Sequence, residues 1–433
     1  MTSDGMQKNN PKTINAWCSY DWANSVYNLT VTTTLFPVYY SVVTKEAFGG
    51  ETVTFLGLQL KSTVLYSYAI SFSFLLIVFL SPLLSGVADY SGRKKFFMQV
   101  FTYIGSVSCI GLFFFTGSNL VFGIACSVFA SVGYAGSLVF YNGFLPEITD
   151  AKTADRVSAK GFSWGYTGSV ILLVVNLVII SQFDFFGFIN KTMATRSSFL
   201  LVGLWWVGFA QIAFYFLKDR PTSKKIDVQI LSKGFHELLK VVQKIRQHGQ
   251  TARFLLSFFF YSMGVQTVIL LAPLFGESVI GLPGEKLIIT VLLLQIVAIL
   301  GSISFAFIAE RKGNKFSLLI MLSIWVCICI AAYFLQSEFQ FFLMAGFLGL
   351  VLGGTQAISR STYSKLIPAN THDTASYFSL YDVTEKIAIV IGTLSYGIIE
   401  QLTGNMRNSS LAMIVFFILG LIALTQTKLS NAK

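Results

Sequence analysis

Residues 375–402 read ASYFSLYDVTEKIAIVIGTLSYGIIEQL. A helix needs about 20 predominantly apolar residues to cross the hydrocarbon core, so this stretch is long enough to span a membrane. It nevertheless carries Asp382, Glu385 and Lys386. At about 1.5 Å per residue, Lys386 lies ~15 Å along such a span, near the midplane. A charge at that depth costs roughly 2.5–3.5 kcal/mol on insertion scales, and such residues face a bundle interior or a wet cavity and mark a pathway or a site. The stretch therefore implies a polytopic membrane protein with a polar interior.

The composition agrees. The chain of 433 residues is 54% hydrophobic and only 12% charged, against about 25% charged in an average soluble domain. Its 42 Phe and 35 Gly suit helices packed in lipid. The net charge of +11 is read as loops facing anionic lipid, not as a nucleic-acid surface. Residues 1–15 are polar and lack the apolar core of a cleavable signal peptide. The five Cys lie in or beside apolar spans, and Cys327 and Cys329 diverge around a helix, so neither disulfides nor a metal site is expected. The three His fall in loops, and no acid, His or Cys constellation shares a depth. No catalytic residues and no cofactor are expected. The G-x-x-x-x-G-K-[ST] phosphate loop is missing, which argues against an ATP-driven pump.

Twelve spans are predicted, all-α: 15–43, 64–88, 96–115, 120–141, 161–180, 197–217, 254–275, 286–309, 316–335, 339–361, 375–402 and 409–427. With a cytoplasmic N-terminus, inner segments hold 24 of the 31 Lys and Arg and outer ones hold six. The positive-inside rule then places both termini in the cytoplasm. The expected organisation is a six-helix bundle over 1–217, a cytoplasmic linker over 218–253 and a second bundle over 254–433. In the linker, Leu231, Phe235, Leu238, Leu239, Val242 and Ile245 recur at helical spacing among Lys233, Lys240, Lys244 and Arg246. That pattern predicts a basic amphipathic helix at the inner interface, most simply a connector between the halves.

The halves read as diverged copies. Asp89-x-x-Gly92-Arg93 follows span two, and Glu310-x-x-Gly313 follows span eight, 221 positions on. Tyr141 and Pro146 at the end of span four recur as Tyr363 and Pro368, 222 on, and Phe162-Ser163 recurs as Phe378-Ser379, 216 on. Three matches at nearly one offset indicate a duplicated six-helix unit. With that alignment, Val170 and Tyr166 fall opposite Lys386 and Asp382, so the second half alone supplies the charges.

Twelve spans as six plus six, a long central loop and the acid-x-x-Gly-basic loop resemble the major facilitator superfamily over the whole chain. The family signature carries Gly four residues before the acid and Arg just after it. Here those positions are Ser85 and Tyr90, then Ala306 and Arg311, so only Arg311 fits. Three segments narrow the resemblance: Tyr20-Asp21-Trp22-Ala23-Asn24-Ser25, Tyr141-Asn142-Gly143-Phe144-Leu145-Pro146-Glu147 and Gly353-Gly354-Thr355-Gln356-Ala357-Ile358-Ser359-Arg360-Ser361. They resemble the branch containing fungal vacuolar amino-acid effluxers of autophagy and their bacterial relatives. The resemblance implies a secondary transporter working by alternating access on a small polar solute, such as an amino acid or related metabolite. Peptides, cell-wall fragments, or a non-transporting receptor or scaffold stay open as alternatives. A bacterial inner membrane and a monomer are expected.

The resemblance also makes the loop signature a gate. Asp89, Gly92 and Arg93, with Glu310 and Gly313 in the second copy, would bias the equilibrium between outward-facing and inward-facing states. Asp89 would sit on the positive N-terminus of span eleven, and Arg93 would pair with Asp150 or Glu147. Arg360, near the inner end of span ten, is placed with the gate as a cation for an anionic group or a lipid headgroup. In span eleven, Asp382 and Lys386 share a face, as do Tyr381 and Glu385. Lys386 is read as the partner of a substrate carboxylate, and Glu385 or Asp382 as the partner of an amine or a proton. The same spacing also allows a neutral structural pair. Asn24, Tyr27 and Asn28 in span one, Trp164 and Tyr166 in span five, Tyr261 and Gln266 in span seven, Gln295 in span eight and Gln356 in span ten complete the candidate lining. Asp21 reads equally well as an interfacial carboxylate. Gly161-x-x-x-Gly165 and Gly349-x-x-x-Gly353 are read as helix contacts. Span four has no Lys or Arg between Leu120 and Tyr141, unlike many proton-driven exporters of the superfamily. That favours simple facilitation over proton coupling.

Overall fold

The computed structural model describes residues 7–220, 230–247, 249–368 and 371–429. The first helical stretch runs from Pro11 to Phe48 as α1 (Pro11–Val26), a π-helical segment (Tyr27–Leu35) and α2 (Phe36–Phe48). Asn10 caps it, accepting from the Lys12 N–H at 2.9 Å, and Pro11 occupies the first turn, where its missing N–H costs nothing. The π segment, YNLTVTTTL, is rich in β-branched residues. Thr33 and Thr34 both donate to the Leu29 carbonyl at 2.7 Å, which loosens the regular ladder. Single π turns inside helices favour functional sites.

A hairpin follows, β1 (Thr52–Phe55) paired antiparallel with β2 (Leu58–Lys61). Leu56 and Gly57 close it at φ 49° and 84°, the left-handed pair that a two-residue turn demands. The hairpin lies between the first two expected spans, 15–43 and 64–88. Then come α3 (Ser62–Ser91), α4 (Lys94–Leu112), α5 (Leu120–Gly143), the short α6 (Leu145–Ile148), α7 (Ala154–Ser181) and α8 (Lys191–Phe216). After the linker helix α9 (Ile230–Gln247) the second half runs α10 (Gly249–Phe275), α11 (Gly284–Lys312), α12 (Asn314–Tyr333), α13 (Glu338–Leu366), α14 (Thr374–Thr403) and α15 (Met406–Gln426). Among the described residues, ten helices are long and apolar enough to cross a membrane. The two other expected spans, 15–43 and 375–402, are also helical, within 11–48 and 374–403. The count of twelve crossings stays an expectation.

Buried apolar side chains form two clusters. One is drawn from residues between Trp17 and Leu217, with Ala375. The other runs from Val241 to Leu424, joined by Ala159. Lipid-facing positions such as Phe79, Val107, Leu300 and Leu394 are exposed, as expected for a bundle solvated by hydrocarbon.

Helix α9 marks one face of the bundle, called the linker side below. It packs directly on α3, backbone to backbone: a Cβ on Gly86 would stand 2.1 Å from the Gly234 carbonyl oxygen. At its other end Lys244 pairs with Asp373, the residue before α14, at 2.7 Å. The linker helix thus touches both halves, which gives the connector a second role as a brace. Gly86→Ala is expected to destabilise the fold by about 1–3 kcal/mol, because the added methyl meets backbone that cannot turn away. Gly346→Ala, with nothing within 4 Å of the added atom, is expected to be silent. Thermal unfolding in detergent compares the two.

Candidate functional site

Between the halves lies a cavity of about 240 Å3. Its walls come from α1, the π segment, α3, α5, α7, α10, α13 and α14. On α14, Lys386 stands 3.4 Å from Asp382 and 3.5 Å from Glu385. Glu385 also accepts a hydrogen bond from the Gln266 amide at 2.8 Å. The Phe74 ring of α3 covers the Lys386 ammonium at 5.9 Å. Two carboxylates against one ammonium leave an uncompensated negative charge on this wall. Among the described residues, Asp382 Oδ2 and the Asn24 amide nitrogen have no hydrogen-bond partner. Buried polar atoms rarely stay unpaired, and both belong to residues that line the cavity. Asn28 lines the cavity and is exposed, so the cavity opens away from the linker side.

The floor is a second charge cluster. Arg360 of α13 is buried to 3% exposure, and Asp21 of α1 likewise. They pair across the halves at 3.1 Å. Every hydrogen bond that the Arg360 guanidinium makes goes to the first half: Asp21, the Asn142 side chain at 3.3 Å, and the Ser158 hydroxyl and carbonyl at 3.0 and 2.8 Å. Tyr141 donates to the same Asp21 oxygen at 2.7 Å. The rings of Phe162 and Trp17 lie 4.0 and 4.8 Å from the guanidinium carbon. The socket exists because Gly161 lacks a side chain: a Cβ there would fall 2.5 Å from Asp21 and 3.0 Å from Arg360.

Below the floor the linker side is shut. Asp89, at the end of α3, accepts from the backbone N–H groups of Ala375 and Ser376 at 3.2 and 2.7 Å. Those are orphan donors at the positive N-terminus of α14. Lys94 bridges Glu147 and Thr374 beside it. A second set sits at the N-terminus of α7. There Asp155 takes Lys365 at 2.5 Å and Asn314 at 2.7 Å, and Arg156 forks onto Glu310 at 3.1 and 3.0 Å. Ser163 meets Ser302 at 2.8 Å, and Tyr166 donates to Gln356 at 2.5 Å. Of these hydrogen bonds between the halves, the one from Tyr166 reaches a residue of the cavity wall, Gln356.

Comparison with known proteins decides the family. The profile described as vacuole effluxer Atg22 like matches residues 9–433. The chain belongs to the Atg22-like family. It is 31% identical over 421 residues to an uncharacterized MFS-type transporter, YxiO, of Bacillus subtilis, covering 97% of this chain and 95% of that one. It is 22% identical over 477 residues to autophagy-related protein 22-1 of Penicillium rubens, covering 90% and 79%. Among solved structures, the human organic anion transporter MFSD10 (TETRAN) superposes with a TM-score of 0.73 at 11% identity, covering 96% of this chain and all of that one. The transporter FucP, in its outward conformation, gives 0.67 at 13%, covering 97% and 99%. The fold is the major facilitator fold, and the protein is a multi-pass membrane transporter of that superfamily.

Ten of the residues expected to line a substrate site line this cavity: Lys386, Asp382, Glu385, Tyr381, Asn24, Tyr27, Asn28, Tyr261, Gln266 and Gln356. Three do not. Trp164 lies beside the Lys160 ammonium instead. Tyr166 reaches the site only through Gln356. Gln295, on α11, is outside the lining. Their helix faces turn elsewhere, which depth along a span cannot reveal. The pairing expected of Arg93 is also corrected. Arg93 is exposed, its neighbour Lys94 takes Glu147, and Asp150 bonds Asn9 and Thr153. Gly92 and Gly313 hold the two turns at φ 67° and 90°. Arg360 serves no lipid headgroup, because it is buried among first-half groups. Glu147 takes part as an acid of the gate, as expected, but with Lys94 as its partner; Asp155, Asn314 and Lys365 carry no mark in the sequence beyond the place of Asp155 in a first helical turn, where an acid is favoured.

The floor pair is expected to dominate stability. Removing one partner of a buried ion pair costs about 3–5 kcal/mol, more than the pair's net contribution. Arg360→Ala should therefore unfold well before wild type, and adding Asp21→Ala should recover part of the loss. Thermal unfolding of the single and double variants measures this. Equal losses in both would contradict it.

Proposed function

We propose that this transporter moves a small zwitterionic solute, an amino acid or a related metabolite, by alternating access. The observation that carries the reading is the α14 wall. One ammonium and two carboxylates face the amides of Asn24, Asn28 and Gln356 across the cavity. Lys386 offers a cation to a solute carboxylate, while Asp382 and Glu385 offer an excess negative charge to its amine. Drug-sized ligands occupy pockets of about 300–1,000 Å3. A cavity of about 240 Å3 suits a single amino acid better than a peptide or a cell-wall fragment.

The two apolar clusters support treating 1–217 and 254–433 as the rocking units, with 218–253 as their brace. In this reading Asp89, Gly92, Glu310, Gly313 and Arg360 hold the linker side closed, with Lys94 in the place expected for Arg93. The closed linker side and the cavity mouth opposite support an outward-facing state. The excess of basic residues on the linker side supports its being cytoplasmic, with both termini there, in a bacterial inner membrane.

Flux of labelled amino acids through vesicles containing the purified protein tests the substrate class. Saturable flux is expected, and Lys386→Ala with Asp382→Ala should lower it at least tenfold. Normal transport by that double variant would remove the site. Asp89→Asn weakens the grip on the α14 N-terminus, so it is expected to lower the flux severalfold while binding of the same solute persists. Unchanged flux would remove the gate.

A further inference from the structure

Away from the linker side, a groove of about 480 Å3 runs between α12 and α13. Cys327 and Ala331 of α12, with Phe334 just beyond it, form one wall, and Leu343 and Phe347 of α13 form the other. Cys327, Phe334, Leu343 and Phe347 are exposed on the outside of the bundle, so the groove opens into hydrocarbon. At its inner end it meets a second apolar pocket of about 40 Å3, and Ile328 and Met344 line both. That pocket reaches Val268, Leu271 and Phe275 of α10. The same helix walls the solute cavity through Tyr261, Val265 and Gln266.

Water does not fill such a space in the bilayer core, and side chains that face a void lose their dispersion contacts. The volume is in the range of about 300–1,000 Å3 that holds a drug-sized molecule. Membrane hydrocarbon is the occupant at hand. The end of the groove away from the linker is polar. Gln340, in the first turn of α13, is its one amide. Its Oε1 accepts from the backbone N–H groups of Gln336 and Ser337 at 2.9 and 3.2 Å. Its NH2 donates to no group among the described residues. Arg407, in the first turn of α15, donates to the Tyr333 carbonyl at 2.7 Å, one residue before Phe334. Lys286 and Glu338 neutralise one another nearby at 2.6 Å, whereas Arg407 forms no ion pair among the described residues.

We propose that this groove binds one acyl chain of a phospholipid from the leaflet away from the linker. Arg407 takes the phosphate, Gln340 donates to an ester carbonyl, and the chain end passes Ile328 and Met344 to rest against α10. The order of cation, amide and apolar channel matches the order of phosphate, ester and chain. The inference rests neither on the identity of the solute nor on the transport cycle.

The test uses the full chain in nanodiscs of phosphatidylethanolamine and phosphatidylglycerol, doped with a phospholipid that carries a diazirine near the end of one acyl chain. After irradiation, peptide mapping by mass spectrometry locates the adducts. Ile328 is only 5% exposed, so lipid that merely coats the bundle does not reach it. Adducts are expected at Ile328 and Met344, as well as at lipid-facing residues such as Phe79. Ala331→Trp fills the groove from one wall. It should lower the marking of Ile328 and Met344 at least tenfold and leave that of Phe79 unchanged. Leu343→Trp does the same from the other wall if Ala331→Trp does not fold. Arg407→Gln should lower the marking severalfold, and Arg407→Lys should restore it. A free fatty acid carrying the same diazirine should mark Met344 only weakly. Adducts confined to exposed positions such as Phe334 and Leu343 would overturn the proposal, as would marking of Met344 that ignores the filled groove. Marking that ignores Arg407→Gln, or a fatty acid as effective as the phospholipid, would overturn the phospholipid as occupant.

Discussion

A guanidinium cannot stand alone in the low-dielectric middle of a helical bundle, and the second half of this transporter places one there at Arg360. Its counter-charge and all its hydrogen-bond acceptors come from the first half. Two consequences follow. The halves are fastened at the cavity floor by an interaction that is strong only while it is complete. They also cannot separate without a change in charge or partner at that point. The cavity above, the closed linker side below and the bare glycine at position 161 all accommodate this one pairing.

The closure is layered, and its layers differ in strength. At the linker side, Asp89 accepts backbone N–H groups at the N-terminus of α14, and Asp155, in the first turn of α7, takes Lys365 and Asn314 of the second half. Charges at helix ends contribute about 0.3–1 kcal/mol when exposed and up to ~2 when partly buried. Arg156, whose side chain is 78% exposed, adds little through Glu310, since surface pairs contribute about 0–1 kcal/mol. A missing partner at the floor costs several times more. In the proposed cycle the floor pair, more than the rim contacts, is then the costliest contact to break.

Much of the fold was legible in the sequence because apolar runs and basic loops are one-dimensional signals. The i,i+4 pair of Asp382 and Lys386 was legible for the same reason: spacing on a helix fixes a shared face. Facing between helices is not a one-dimensional property. Adjacent positions on a helix point about 100° apart, so Lys94 takes the partner expected of Arg93, and Trp164 misses a cavity whose depth it shares. The π segment from Tyr27 to Leu35 shifts the facing again and brings Thr32 into the lining. The docking of α9 depends on two glycines far apart in sequence, Gly86 and Gly234, which no periodicity marks. Asp21 and Arg360 were both noticed, but 339 residues separate them, and only packing joins them.

The central claim is that the α14 wall recognises both ends of a zwitterion. Calorimetric binding to the purified wild-type protein tests it most directly, comparing an amino acid with the amine and the carboxylic acid that each lack one of its charges. The account predicts that the amino acid binds at least tenfold more tightly than either analogue, and that Lys386→Ala removes the advantage over the amine. Equal affinity for all three, or binding that ignores Lys386, would contradict it.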